Sequence, residues 1–445
     1  MTVSLVGEVF VDFTIDEQRG SEPKMRLGGV VHAARTLWAL NVDYRAYVLC
    51  PAYLMAAAKE YLMRHGCVGV ELLGTVVGTP MVMVSTRPRE IGDQRYEFML
   101  RDDYSVTWDE RALSALSGEP GPVLVLSGEY SLQVILDHTR IAEQVILDTA
   151  NAAFPLPTAS MAAIRNRLSY ITSTSGKDFR QATQGCGWTG WESYARDILE
   201  FKGLASRLVL KENRGGARLY QREGPQIEVP AFPVDAVHSI GVGDAFAATF
   251  TTQISRPPVD AMLLASAVAG AYAATTYPDD FYSATQAALK ASLGSRGGVR
   301  VPWERRPEIK IYIAGADFDY EDTQHIERVE EMLRYHNFSP VRPVKECGQA
   351  RAGMNEGERR RMYLCDLQHL HSSSIVIGVA NTADPGMFAE IGMAAAWEKS
   401  VLLYDPLRIV NNLFVINAAS GYVLDEGDLI DRIFAEAQKC LEACP

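Results

Sequence analysis

Short apolar runs rich in β-branched residues recur through the first two thirds of the chain, at 3–13, 45–49, 123–126, 145–147 and 208–210. Each has the character of a buried strand. Helical spacing separates several of them, as in VVHAARTLWAL, where Ala33, Leu37 and Leu40 fall on one face, and again at 56–64. The alternation predicts an α/β domain with a mostly parallel sheet. Two further strand-like runs, 81–85 and 96–100, flank RPREIGDQR and predict a hairpin added to the sheet as a small lid. The period then stops. SLGSRGGVRVPWERRPE, residues 292–308, is rich in Gly, Pro and Arg and has no apolar repeat, as a linker does. IKIYIAG starts a second α/β pattern, with helices expected at 323–336, 356–371 and 387–397 and strands at 374–379 and 401–404. The expected division is a domain at 1–295, a linker at 296–307 and a second domain at 308–445, with no repeat between them.

The 445-residue length agrees with two or three domains at ~150 residues each. With 47% apolar and 22% charged residues the chain is globular rather than disordered. A net charge of −12 argues against nucleic acid or an anionic membrane as the main partner. It leaves room for small anions, which a few backbone N–H groups can hold. MTVSLVGEVFVDFTIDEQ lacks a basic region, so no signal peptide is expected, and no apolar run has the length of a membrane span. The seven cysteines (Cys50, Cys67, Cys186, Cys347, Cys365, Cys440 and Cys444) show no zinc spacing. Reduced thiols in a cytoplasmic protein are the expectation. His369 and His371 would diverge if they lie on a helix.

Two motifs carry chemistry. Ser239-Ile240-Gly241-Val242-Gly243-Asp244 leads into the small-residue segment AATFTTQI. Glycines at the mouth of a helix let N–H groups converge on an anion, and the adjoining aspartate is placed to take a proton from an attacking hydroxyl. The plain alternative is a glycine turn capped by aspartate. The second motif, Asp384-Pro385-Gly386-Met387-Phe388-Ala389-Glu390-Ile391-Gly392, joins a turn to a helix on which Glu390 shares a face with Met393, Ala394 and Trp397. A carboxylate on such a face needs a partner or a task; capping the helix start is the plain alternative. Glu358-Arg359-Arg360-Arg361 is the densest basic cluster, read first as a solvated helix face and second as a phosphate contact.

Residues 1–295 resemble the ribokinase-like (PfkB) carbohydrate and nucleoside kinases. The resemblance rests on Gly7-x4-Asp12, on Gly28-Gly29 before an amphipathic helix, and on Gly241-Val242-Gly243-Asp244, which is similar to the family's Gly-Ala-Gly-Asp signature. It implies a doubly wound sheet with a β lid. Asp12, Gly28, Gly29 and His32 would bind substrate, Gly241, Val242 and Gly243 would form the anion hole for ATP, and Asp244 would act as base, with Mg2+ as cofactor. The chain departs from the pattern at His238-Ser239, where Asp-Thr is usual, and at His32, where asparagine is usual. Ser175-Gly176-Lys177-Asp178 is the nearest counterpart of the magnesium-placing motif.

Residues 308–437 resemble the nucleoside 2-deoxyribosyltransferases, through IYIAGADFDY, Asp366 before SSSIVIGVA, and DPGMFAEIGMA. This resemblance implies a flavodoxin-like (Rossmann-type) fold. Glu390 would be the nucleophile and Asp366 or Asp384 a second acid, while Tyr312, Gly315, Asp317 and Phe318 border the nucleoside. Asn412 would be supplied across a subunit interface, hence a homo-oligomer. Met387 stands where Thr or Ser is usual. Together these readings point to a bifunctional enzyme of nucleoside or nucleotide metabolism acting on small molecules. A nucleotide- or NAD-degrading defence effector with a ligand-sensing kinase-like half, or a non-catalytic nucleoside-binding regulator, are the alternatives.

Overall fold

The computed structural model describes residues 2–16, 21–92, 97–100, 103–149, 156–176, 179–180, 190–295, 297–351 and 353–443. The chain forms two compact units, one of residues 1–89 and 94–300, the other of 90–93 and 301–445.

In the first unit the strands are β1 (Val3–Asp16), β2 (Ser21–Gly29), β3 (Tyr44–Cys50), β4 (Cys67–Val77), β5 (Val82–Ser85), β6 (Glu97–Phe98), β7 (Ser105–Trp108), β8 (Val123–Leu126), β9 (Val145–Asp148), β10 (Leu168–Ser173), β11 (Arg207–Lys211), β12 (Ala217–Gln221) and β13 (Ile227–Val229). The main sheet runs β13-β12-β11-β10-β9-β8-β1-β3-β4-β7. From β11 to β4 every pairing is parallel, while β12, β13 and β7 add antiparallel edges. The run 3–13 is more than one buried strand. Residues Val3–Glu8 pair in the main sheet, and from Val9 onward β1 leaves it to pair with β2 and β5. The lid therefore contains β1 and β2 as well as the expected β5–β6 hairpin, and β2 ends on Gly28 and Gly29. Polar residues interrupt the apolar run from Asp12 onward, which suits a small sheet with one wet face. Helix Val242–Thr252 packs on the sheet through Ala245, Phe246, Ala248, Thr249 and Phe250, all buried. Small side chains there allow close helix packing.

The second unit contains β14 (Lys310–Gly315), β15 (Ser339–Val341), β16 (Ile375–Val379), β17 (Ser400–Tyr404) and β18 (Gly421–Val423), all parallel in the order β15-β14-β16-β17-β18. Numbered within the unit this is 2-1-3-4-5, a Rossmann-type order whose switch point lies between β14 and β16. The strand cores Ile311–Ala314 and Ile375–Val379 are buried on both faces, as continuous apolar runs require. Residues 301–307, expected in the linker, are part of this unit. A 3-10 turn, Trp303–Glu308, buries Arg306, whose Nε donates to the Val301 carbonyl at 3.0 Å and Nη1 to the His336 carbonyl at 3.3 Å. Its guanidinium lies 4.9 Å from the Phe434 ring centre. Arginine in a linker-like composition thus serves as a buried plug. No helix among the described residues is long and apolar enough to cross a membrane.

Candidate active sites

In the first unit Gly241 takes a left-handed φ of 78° and starts helix Val242–Thr252, which carries Asp244 in its first turn. The Val242 N–H already donates to the Ser239 carbonyl at 3.3 Å, and the dipole of this helix end favours an anion beside the turn. Burial first, then the neighbouring Asp148 charge, raises Asp244 to about 7, against the opposing pull of Lys211. Lys211, at the end of β11, holds Asp148 at the end of β9 through a 2.5 Å ion pair and reaches the Gly243 carbonyl at 3.5 Å. A Cβ on Gly243 would come within 2.9 Å of that ammonium. A side chain there would displace the flexible end of the lysine from the turn. Lys211 and Asp148 escaped the sequence reading; the only signal is a polar pair at the ends of otherwise apolar strands.

Asp12 is fully buried, with Oδ2 2.9 Å from His32 Nε2 and 3.5 Å from Arg26 Nε. His32 in turn meets the Tyr272 hydroxyl through Nδ1 at 2.7 Å, and Arg35 donates to the same hydroxyl at 3.3 Å and to Tyr61 at 3.0 Å. Burial lowers the His32 pKa, against the opposing pull of the Asp12 carboxylate beside it. Gly28 and Gly241 make room for this chain. Added Cβ atoms would fall 2.2 Å from Asp12 Oδ1 and 2.3 Å from the His32 ring. The structure brings Asp12, Gly28, His32 and Gly241 together, and both oxygens of the Asp12 carboxylate are buried without a hydrogen-bond partner among the described residues, with His32 and Arg26 beside them. Gly29, φ 65°, lies against the Glu8 carbonyl and turns the lid into helix Val30–Ala39. His238 lies between the carbonyls of Ile240 (3.1 Å) and Thr275 (2.9 Å), burial driving it down to about 4. Ser239 donates from its N–H to the Pro88 carbonyl at 2.8 Å. Of the expected magnesium-placing stretch, Lys177 and Asp178 lie outside the described residues.

In the second unit Glu390 sits on helix Pro385–Ala396, which follows β16, and Tyr312 on β14 donates its hydroxyl to Glu390 Oε1 at 2.7 Å. This pair straddles the switch point, where an open α/β sheet binds its ligands. The buried stripe of the helix is Met387, Ile391 and Ala394; Glu390 borders it and keeps partial exposure. Burial is the main cause of a Glu390 pKa raised to about 7; Asp366 and Asp384 push it further up and the Tyr312 bond opposes them. Asp366, on helix Glu356–Ser372, is also raised by burial, and its Oδ1 is buried with no hydrogen-bond partner among the described residues.

The other expected site residues are committed to local structure. Asp384 is the cap of the Glu390 helix, its Oδ2 accepting from Met387 N–H at 2.7 Å. The cap expected as the plain alternative for Glu390 is thus Asp384. Asp317 is buried and gripped by Arg342 through both carboxylate oxygens, one at 2.9 Å, and Arg342 reaches on to Glu330 at 2.8 Å. Gly315 lets β14 approach its neighbours; a Cβ would meet Ile326 at 2.9 Å and the Val379 carbonyl at 3.1 Å. Phe318 stacks on the exposed Tyr320, centroids 5.3 Å apart. Asn412 caps its own short helix, Leu413–Ala418, accepting from Phe414 N–H at 2.9 Å. Arg359, Arg360 and Arg361 are exposed, and Glu358 closes a capping box with Asn355. Asn381, missed in the sequence, ties Ala316 and Asp322 to the end of β16 through bonds of 3.0–3.3 Å. An amide directly after a buried strand was its only signal.

One cysteine expectation changes. Cys347 and Cys365 are joined in a disulfide, Cα atoms 5.9 Å apart, whereas Cys50, Cys67 and Cys440 are free. Cysteines 18 residues apart carry no pairing signal until two helices bring them together.

The first unit is a ribokinase-like α/β fold, and the parallel sheet of the second is Rossmann-type. The pfkB family carbohydrate kinase sequence model matches residues 138–281, which include Gly241–Asp244 but not Asp12 or the glycine pair. The nucleoside 2-deoxyribosyltransferase model matches residues 311–425, from β14 past Asn412. A crystal structure of ribokinase from Thermotoga maritima is similar at TM-score 0.50 and 16% identity, covering 65% of this chain and 100% of that one. Arabidopsis thaliana ribokinase, solved with ribose and ATP, gives 0.49 and 14%, over 65% and 99%. The tetrameric inhibited form of phosphofructokinase-2 from Escherichia coli gives 0.48 and 16%, over 65% and 99%. A search of curated protein sequences returns no significant match.

Proposed function

We propose that the chain is a bifunctional enzyme of nucleoside or nucleotide metabolism. The first unit phosphorylates a sugar or nucleoside hydroxyl with ATP, and the second cleaves or exchanges an N-glycosidic bond through Glu390. The observation that carries this reading is the Tyr312–Glu390 pair at the switch point, with Asp366 close enough to raise the glutamate's pKa.

Cleavage of an N-glycosidic bond builds positive charge at the sugar C1, and a carboxylate can trap it as a glycosyl ester. Tyr312 fixes Oε1 of Glu390 and leaves Oε2 to attack. Asp366, raised by burial and with an unengaged oxygen, is the better donor to the departing base, since Asp384 is taken up by the helix cap. Two acidic groups in unlike surroundings divide into ionised nucleophile and protonated acid. Resolution of the ester by another base gives transfer, and by water gives hydrolysis. The stacked Phe318–Tyr320 pair offers a flat face to a nucleobase.

In the first unit the N–H groups at Gly241–Asp244 fit a phosphate, and the Gly243 backbone carries Lys211 beside it. ATP, with magnesium, supplies the phosphoryl group when bound. Asp244, near neutrality in pKa, is suited to take the proton of an acceptor hydroxyl at physiological pH. Exposed Leu413 and Phe414, 75% and 83% accessible, support a homo-oligomer built through the second unit. Incubation with a panel of nucleosides, nucleotides and sugars, with and without ATP, followed by mass spectrometry of products, tests the proposal. Free base without ATP and a phosphorylated product with it are expected. Free base alone, with ATP bound but unconsumed, would assign the first unit to sensing, and no product from any compound overturns the enzymatic reading.

A further inference from the structure

We propose that Cys347 and Cys365 form a reversible thiol–disulfide site that clasps the Asp366 helix in its working position. The proposal rests on the glycosyl-cleaving reading of the second unit.

Cys347 ends the short helix Pro343–Cys347, and Cys365 lies inside Glu356–Ser372, directly before Asp366. The bond therefore ties the candidate acid's helix to the segment that begins at Arg342, the residue gripping Asp317 beyond β14. Between the two cysteines, Gly348 and Gly353 adopt left-handed φ values of 89° and 93°, and much of the intervening backbone is exposed. Such a loop can move when the covalent tie is cut. His369 lies one helical turn after Cys365, and its ring nitrogen and the two sulfurs fall within 4.8 Å of one another. An imidazole there can accept a thiol proton and generate the thiolate that exchange requires. Both cysteines are half-buried, within reach of a small thiol reagent. Cys50 differs: it is buried, with burial pushing its thiol up to about 12.

The reaction partner is a low-molecular-weight disulfide such as oxidised glutathione. One cysteine thiolate attacks it, forms a mixed disulfide and displaces one small thiolate. The second cysteine then attacks the mixed disulfide and displaces the other. One disulfide is consumed, one is formed, two small thiols are released, and the protons lost by the cysteines are regained by the leaving thiolates. The reverse sequence, with reduced glutathione, opens the clasp. Asp366 acts on the departing base, so a displaced helix lowers turnover rather than binding.

The full chain is poised in mixtures of reduced and oxidised glutathione, then alkylated and mapped by mass spectrometry, with base release from nucleosides measured on the same samples. Cys347 and Cys365 should lose alkylation together in the oxidised mixtures. The oxidised form should release base about five- to tenfold faster in kcat at unchanged KM. Cys347→Ser and Cys365→Ser should both stay at the reduced rate in every mixture. Alkylation of both thiols throughout, or equal kcat in both forms with base released, overturns the clasp and leaves the glycosyl-cleaving reading standing. No base release in either form overturns both.

Discussion

Replacing Glu390 by glutamine separates what the carboxylate does for chemistry from what it does to the fold. Burial, with help from Asp366 and Asp384, raises this group from an ordinary 4.5 to about 7. A carboxyl whose folded pKa is raised binds a proton in the native state that the unfolded chain has already released across that interval. The stability associated with this proton is complete below about pH 4.5 and is lost progressively up to about pH 7, staying lost above it. An interval of that width corresponds to about 3 kcal/mol. Glutamine keeps the shape and cannot ionise, and the Tyr312 bond to the carboxylate is already contained in the net shift. Glu390→Gln should therefore be about 3 kcal/mol more stable than the parent at pH 8 and nearly equal to it at pH 4.5. For a unit of this size that is a Tm gain of about 6–12 °C. Differential scanning calorimetry of parent and variant between pH 4.5 and 8.5 measures it, and nucleoside base release on the same samples should fall to background. A Tm difference independent of pH, or a variant less stable than the parent at pH 8, would refute the electrostatic reasoning. A stabilised variant that still releases base would refute the nucleophile.

Asp244→Asn should remove phosphoryl transfer, with kcat down at least a hundredfold and ATP affinity within about threefold of the parent, as expected for a lost base; isothermal titration and a coupled assay separate the two. Tyr312→Phe removes the bond that holds Glu390 down in pKa, so the acid limb of the base-release profile should move to higher pH, measured as kcat against pH. Phe414→Asp should lower the mass found by light scattering if the exposed Leu413–Phe414 helix start is a subunit contact, whereas an unchanged mass removes that helix from the interface.

Much of the architecture was legible because buried parallel strands need unbroken apolar runs. The expected runs 123–126 and 401–404 coincide with β8 and β17 to within a residue. The lid was half legible: β5 and β6 stand out as short strands, but β1 passes from one sheet to the other without a break in sequence, and only the pairing partners mark the change. Residue type does not show what a carboxylate touches. Asp12 and Asp317 are expected at substrate, and Asp384 at the turn or as the second acid. Each lies against a neighbour distant in sequence or a backbone N–H: Asp12 against His32, Asp317 against Arg342, Asp384 against the helix it caps. Spacing along one chain contains no information about such partners. Arg306 and the Cys347–Cys365 bond were invisible for the same reason, since a Gly-, Pro- and Arg-rich stretch reads as linker until an aromatic pocket receives its guanidinium.

The DPG turn and the glycine turn reach the same end by different means. At Asp384-Pro385-Gly386 two carboxylates lie close in sequence, and the fold gives them opposite surroundings. The cap receives a backbone N–H, while Glu390 is carried further along the helix toward burial, which disfavours its charge, with a single tyrosine hydroxyl opposing that effect. At Gly241-Val242-Gly243 the acid itself occupies the first turn, where the dipole alone would favour the charged form. Its pKa is nonetheless raised to about 7, because burial and the Asp148 charge outweigh the dipole and the pull of Lys211. Removing the lysine would thus leave Asp148 as an uncompensated neighbour and push Asp244 higher still. Burial together with the Lys211–Asp148 pair, rather than the glycine signature alone, holds this acid near neutrality, as the proposed general base would need.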